Sequence, residues 1–517
     1  SVVMVIVLMA RYKLNVLHLD LTDDEGWRIE IAGLPELTQV GARRGHTLDS
    51  SSFLPPAYGS GAETGRAFGS GFYSRAEYVA LVREATARHI EVIPEIEMPG
   101  HARAAIKAME AREREHRRAG LPADDAGRFR LSDADDRSVY TSAQNYHDNV
   151  INPALPSTYA FIDTVVADLV TMHRDAGAPL RHLHMGGDEV PRGVWERSPR
   201  AAAFMTAEHV PTAAGLWDVF YGRVAEILKR HGLAVSGWQE VGLDEAHTGV
   251  DARGAVNERF AGLGWRAYVW NSVAGGTSGQ LAYRLANGGY EVVLCPASHL
   301  YFDLAYTRDF AERGLAWAGY TDMERAWSLV PFDLDRAPAS PAPVTAGTPV
   351  RESLSAQGRA RVQGIQGQLW SETLNAPDRL ADMLVPKLFG LAERAWASES
   401  AWVAEPDPAR AASRYNAAWS AFATAVGTRE LPRLARQVPG LAFHIPAPAW
   451  VVADGRVRAN LALPGFTLRA TTDGSDPTAT SPVWTDGVER QPHLRLAAFD
   501  VSGRRSRVVE VSGTSER

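Results

Sequence analysis

The sequence predicts an α/β chain: a (β/α)8 TIM barrel whose first strand is missing at the N-terminus, followed by a small C-terminal β-sandwich. Three observations carry that reading. Short β-rich runs alternate with longer amphipathic stretches down to about residue 400, which is the rhythm of parallel strands with helical crossovers. The candidate strands number seven, one short of a closed barrel. After about residue 440 the pattern changes to short strands separated by turn dipeptides.

The elements follow in order. Val2 to Tyr12 reads as a buried helix leading into a strand. Its apolar run is too short to span a bilayer, has no basic residues before it and no small-residue cleavage site, so it does not read as a signal peptide. The strands are Leu14–Asp20, Ile90–Ile96, Arg181–Met185, Leu233–Trp238, Ala267–Trp270, Glu291–Leu294 and Gly364–Trp370. Arg75–Arg88, Tyr159–His173, Leu216–His231 and Leu380–Trp396 have helical apolar spacing. Because the series begins with a helix, the natural place for the eighth strand is upstream of Ser1. Ala111–Asn152 and Pro331–Ala356, the latter rich in Pro, Ala and Ser, read as surface insertions rather than functional elements. From Pro446 to Val511, the strands Trp450–Val452, Phe466–Ala470, Leu494–Ala498 and Val508–Val511 alternate with Asp454-Gly455, Asp473-Gly474, Asp486-Gly487 and Ser502-Gly503. That is the grammar of a small sandwich.

Composition narrows the function. The 517 residues carry a net charge of -7 and no basic stripe, which argues against a nucleic-acid partner. Cys295 is the single cysteine, excluding an internal disulfide and a Cys-based zinc site. Fourteen tryptophans are many; each can be core, yet sugar sites also use indole faces against pyranose rings.

The polar residues sit at strand C-terminal ends, which in a barrel face one mouth. His182-Leu-His-Met-Gly-Gly-Asp188-Glu189 is an apolar strand ending in two glycines and two adjacent carboxylates. Burying neighbouring carboxylates is costly because like charges oppose joint ionisation. The rival reading is a solvated helix N-terminus, where acids are favoured. Pro94-Glu-Ile-Glu-Met-Pro-Gly-His101 is a second strand end closed by a sharp turn, and Thr22-Asp-Asp-Glu-Gly-Trp27 adds acids. Paired acids can hold a metal, but further ligand clusters are hard to place, so neither metal nor cofactor is expected.

These residues carry a resemblance. Leu17-His-Leu-Asp-Leu-Thr-Asp-Asp-Glu-Gly-Trp-Arg, Pro94-Glu-Ile-Glu-Met-Pro-Gly-His, His184-Met-Gly-Gly-Asp-Glu, Gly237-Trp-Gln-Glu, Tyr301-Phe-Asp303, Trp317-Ala-Gly and Gln368-Leu-Trp-Ser-Glu372 resemble, in order, the signatures of family 20 glycoside hydrolases, the β-N-acetylhexosaminidases and chitobiases. Thr471-Thr-Asp-Gly-Ser-Asp-Pro477 is similar to the C-terminal domain of chitobiase-type members. The resemblance implies a catalytic barrel over 1–438 and a C-terminal sandwich over 439–517.

It also implies the reaction: retaining hydrolysis of terminal non-reducing β-linked N-acetylglucosamine or N-acetylgalactosamine, as in chitin degradation. Most retaining glycosidases use two carboxylates about 5 Å apart, whereas this family is a substrate-assisted exception. The substrate's 2-acetamido oxygen attacks the anomeric carbon and forms an oxazolinium ion. By analogy Glu189 protonates the leaving oxygen and then activates water, while Asp188 holds the acetamido N–H. Tyr301 would bond the acetamido oxygen. Trp238, Trp270 and Trp317 would wall its pocket and Trp370 would stack on the ring. Asp303 and Glu372 would bind ring hydroxyls. Asp23 (or Asp24) and His101 would form a polar network reaching Glu189.

There are departures. The family's arginine at the end of the first barrel strand would lie before Ser1, and Asp20 stands where many relatives have His. On this reading the chain is a truncated barrel that binds substrate weakly. Two rivals remain: an ordinary two-carboxylate glycosidase, and a non-catalytic or inactive sugar-binding fragment. The expected partner is an amino-sugar oligosaccharide or glycoconjugate, with no membrane-spanning segment. Relatives are often exported, but this chain shows no leader and its cellular address is open.

Overall fold

The computed structural model describes residues 2–65, 68–244, 255–272, 278–336, 352–438 and 440–511. The chain divides into two compact units. The first is Ser1–Leu300, Pro331–Asp335 and Ala339–Gln366; the second is Tyr301–Val330, Arg336–Pro338 and Gly367–Arg517.

The first unit is built on a seven-stranded sheet whose spatial order follows the chain. Its strands are β1 (Val16–Asp20), β2 (Glu91–Glu95), β3 (His182–His184), β4 (Ala234–Trp238), β5 (Arg266–Val269), β6 (Glu291–Leu294) and β7 (Val362–Ile365). All neighbours pair in parallel. Asp20, Glu95 and His184 are register partners in turn, so they point to the same side of the sheet. The sheet curls: His18 Nδ1, on one edge strand, lies 3.3 Å from Gln366 Oε1, just past the other. That side-chain bond stands where strand pairing would close a full barrel. Helices such as Val2–Arg11, Arg75–Thr86, Pro156–Asp175 and Leu216–Arg230 cover the sheet, and their apolar stripes join its residues in one core.

The second unit holds the sandwich. In one sheet β8 (Ala449–Ala453) pairs with β9 (Arg456–Asn460), which pairs with β11 (Val488–Glu489). In the other, β12 (Arg495–Phe499) lies between β10 (Thr467–Thr471) and β13 (Val509–Glu510). Val457, Ala470, Leu494, Leu496 and Val511 form their shared core, with Trp450 and Trp484 packed against it. Asp454 and Gly455, at φ 52° and 71°, make the tight β8–β9 hairpin.

Several sequence expectations need correction. The last barrel strand is Val362–Ile365, not Gly364–Trp370; beyond it only Gln368 makes an isolated bridge, to Tyr301. The helix expected over Leu380–Trp396 is two, Pro377–Leu384 and Lys387–Trp396. Pro386 cannot donate to the preceding turn and disfavours helix at Val385. The supposed loop Ala111–Asn152 begins inside a helix, Arg103–Arg118, whose buried stripe is mostly alanine and so is masked by its charged face. Residues 337–350 of the Pro-rich insertion lie outside the described residues. Among the described residues, no helix is long and apolar enough to cross a membrane.

Candidate active site

The carboxylate pair follows the end of β3. Gly186 and Gly187 have φ of 65° and 101°, and a Cβ on them would run into Glu97 Oε2 and the Tyr221 hydroxyl respectively. Only glycine fits there. Trp238 N donates to Gly186 O at 2.8 Å and Tyr221 Oη to Gly187 O at 3.3 Å, so neighbouring elements fix the turn. Glu189 and His101 are themselves left-handed, at φ 51° and 49°. Non-glycine residues held there carry strain that functional sites commonly store.

His101 is buried between two pairs of acids. Its Nδ1 lies 3.2 Å from Asp23 and 3.5 Å from Asp24; its Nε2 lies 3.8 Å from Asp188 and 3.6 Å from Glu189. Asp24 is fully buried and also accepts from Asn149 Nδ2 at 2.9 Å and Arg103 N at 3.1 Å. Asp23 is the more open of the two, its side chain 38% exposed. Both therefore belong to the network. Burial alone would depress the His101 imidazole, but the charges of Asp188 and Asp23 outweigh it and hold it well above its ordinary range. Burial raises Asp188 to about 7, with the charge of Glu189 adding to the rise and His101 opposing it. His101 is thus drawn toward its charged form, while burial raises both Asp188 and Asp24 beside it.

Beneath this layer, on the inner face of the sheet, Glu95 lies between two imidazoles: His18 Nε2 at 3.0 Å and His184 Nδ1 at 2.7 Å. Trp238 packs on both rings, with centroids 5.9 and 4.8 Å away. By residue type, His18/Glu95/His184 and Asp23/Asp24/His101 are the groups able to hold a metal ion among the described residues. Each is already accounted for as imidazole on carboxylate. Glu97 accepts from Trp238 Nε1 at 3.3 Å, and burial with the charges of Asp188 and Glu95 pushes it well up. Glu240, also buried, is pushed well up by burial and then by Asp188 and Glu189.

The segment expected to be a bystander insertion contributes directly. Gln144 Nε2 donates to Glu189 Oε2 at 2.9 Å, and Tyr146 Oη donates to Glu25 Oε1 at 3.2 Å. With Asn149 on Asp24, residues 144–149 contact three of the site's acids. The only sequence signal was amide and phenol side chains in an aperiodic stretch. Trp270, half-buried, immediately follows β5, and the adjoining Asn271 N donates to Gln239 Oε1 at 3.0 Å.

The second unit brings the other candidates together. Tyr301 packs edge-on against Trp317 at 5.6 Å and Trp370 at 6.2 Å. Trp317 is 48% exposed, so part of its ring faces solvent. Asp303 is buried, and burial, with the charge of Glu372 added, raises it to about 7 while Lys387 opposes the rise. This set is mostly ring faces with acceptors, suited to gripping a sugar rather than moving protons.

Residues 1–399 match the family described as "Glycosyl hydrolase family 20, catalytic domain", and residues 430–508 match "Chitobiase/beta-hexosaminidase C-terminal domain". The chain is 34% identical to a beta-hexosaminidase of Vibrio vulnificus, covering 97% of this chain and 60% of that protein. It is likewise 34% identical to an N,N'-diacetylchitobiase of Vibrio harveyi, covering 90% of this chain and 56% of that one. Among solved structures, an exo-beta-N-acetylglucosaminidase of Vibrio harveyi in complex with N-acetylglucosamine superposes with a TM-score of 0.62 at 31% identity, covering 86% of this chain and 56% of that one. A Streptomyces plicatus beta-hexosaminidase mutant in complex with N-acetylglucosamine superposes at 0.52 with 26% identity, covering 86% and 66%. The chain thus spans rather more than half the length of these two curated relatives.

Proposed function

This chain belongs to glycosyl hydrolase family 20, and from that premise we propose that it hydrolyses terminal β-linked N-acetylhexosamine with retention, through the substrate's own acetamido group. The observation that carries the reading is His101, set within 4 Å of both Asp188 and Glu189 at the end of one parallel strand. Catalysis is assigned to residues 1–438, and residues 439–517 are assigned to the appended sandwich domain.

Glu189 gives its proton to the glycosidic oxygen as that bond to the anomeric carbon breaks. The acetamido oxygen closes on the same carbon from the other face and forms the oxazolinium ring. Asp188 accepts the acetamido N–H and offsets the positive charge growing beside it. Glu189, now a carboxylate, takes a proton from water, which opens the ring and restores the β-configuration. His101 links Glu189 to Asp23 and Asp24, so charge on the acid is balanced from behind. Gln144 holds one carboxyl oxygen of Glu189 as an acceptor, which leaves the other to carry the proton.

Tyr301 is assigned to the acetamido oxygen, Trp238, Trp270 and Trp317 to the pocket walls, Trp370 to the ring face, and Asp303 and Glu372 to hydroxyls. The test is to compare an aryl β-N-acetylglucosaminide with the matching β-glucoside bearing a 2-hydroxyl. Cleavage of the first alone supports substrate assistance. Equal cleavage of both contradicts it and points to an ordinary two-carboxylate enzyme.

A further inference from the structure

Lys387 is fully buried, at 0% exposure, and none of the chemistry above uses it. Lysine is almost never found in such a place unless its charge is satisfied. Its Nζ donates two hydrogen bonds of 2.7 Å, to the backbone carbonyls of Phe302 and Leu304, rather than to a carboxylate. Those carbonyls flank Asp303 on either side. The ammonium also lies 3.9 Å from the ring centroid of Tyr306, a favourable cation–π distance.

The segment it grips is a tight turn. Leu304 N donates back to Tyr301 O at 3.4 Å, a long closing bond for a turn that presents both Tyr301 and Asp303. The rest of its backbone is tied elsewhere: Phe302 N to Gln368 O at 2.7 Å, Ala305 N to Leu315 O at 2.8 Å, and Leu315 N to Asp303 O at 3.1 Å. The carbonyls of 302 and 304 would be left over inside the protein, at the usual cost of unpaired buried acceptors. Lys387 satisfies both with one group; burial lowers it to about 7, the charge of Asp303 opposes that fall, and its own charge opposes the rise of Asp303.

We propose that Lys387 is a positioning residue: it clamps the 301–304 turn so that Tyr301 and Asp303 face the sugar together. This rests on the sugar-binding roles assigned to those two residues in the proposed function. The clamp explains why a lysine starts the helix Lys387–Trp396 directly after Pro386, where an apolar side chain would fill the same volume without charge.

The experiment uses the full chain with Lys387→Met, which keeps length and removes both donors. The readouts are the Kd for N-acetylglucosamine by calorimetry, and kcat and KM for an aryl β-N-acetylglucosaminide. The clamp predicts that Kd and KM rise together by about tenfold, and that kcat falls with them because Tyr301 also holds the attacking acetamido oxygen. A merely structural lysine would lower the active fraction, so apparent kcat would fall with Kd and KM unchanged. That result overturns the proposal. If the methionine variant does not fold, Lys387→Gln, which keeps a buried two-hydrogen donor on a shorter arm, is read by the same split. Wild-type binding and cleavage serve as the control that separates this inference from the functional reading. Should wild type bind and cleave but neither variant raise Kd, the clamp alone is wrong. A wild type that neither binds nor cleaves overturns both.

Discussion

The two units carry different kinds of candidate side chain. In the first, Asp23, Asp24, Asp188 and Glu189 crowd around the His101 imidazole, whose affinity for a proton their charges raise while burial raises that of Asp188. In the second, Tyr301, Trp317 and Trp370 offer ring faces around Asp303 and Glu372, with a single buried ammonium behind the turn. Under the proposed function, the difference predicts where rate and affinity are made. Groups whose protonation is mutually coupled act when charge moves, so their loss falls on kcat. Ring faces and fixed acceptors act on substrate and transition state alike, so their loss falls on KM.

The largest expected effect lies in the first unit. Glu189→Gln keeps the shape and removes the acid, and on an alkyl β-N-acetylglucosaminide kcat should fall on the order of 10³-fold with KM little changed, as measured by steady-state hydrolysis. Comparable activity would erase the contrast between the units. His101→Ala should cost kcat on the order of 30-fold, because it strips the cation that Asp188 and Glu189 share. In the second unit Trp370→Ala should raise KM about tenfold and leave kcat within a few fold. A pure kcat effect there would show that the division is misdrawn. Gln144→Ala is smaller still: a kcat loss of about fivefold, read as a one-hydrogen-bond effect on Glu189.

The subtlest sharpening is thermodynamic. Asp188 rises from 3.8 to about 7 on folding, so the folded state holds that proton more tightly than the unfolded chain does. Stability from this group is fully present below 3.8 and is lost as pH climbs through about 7. Asp188→Asn should therefore melt a few degrees higher than wild type at pH 8, with the gain gone near pH 4, by calorimetry. A gain that instead grew toward acid would mean that Asp188 is held ionised in the fold.

Much of this was legible in the sequence because strand ends announce themselves. An apolar run closed by glycines or Pro-Gly, then acids, located Asp188, Glu189 and His101 correctly at strand ends. The first six strands lie within two residues of their expected bounds, and Gly455, Gly474, Gly487 and Gly503 of the expected turns all have positive φ. What was hidden has physical causes. Helix Arg103–Arg118 buries alanines, which carry little apolar signal against its many charges. Gln144 acts from an irregular stretch where no period says which way a side chain points. Glu97 and Glu240 sit within quoted motifs, but burial pushes them toward neutrality, and burial is not written in residue type. Lys387 looked like one polar position of an amphipathic helix; its carbonyl partners are more than 80 residues away.

The central claim is that the first unit supplies the proton on which bond cleavage depends. The most direct measurement is kcat/KM, which reports the bond-breaking step and not the later attack of water, for two β-N-acetylglucosaminides that differ only in leaving group, an activated aryl and a simple alkyl alcohol, with wild type and Glu189→Gln. Loss of the general acid should leave the activated aryl substrate cleaved within about tenfold of wild type while alkyl cleavage falls on the order of 10³-fold. An equal loss on both, or on neither, would contradict the account and remove Glu189 from the role of acid.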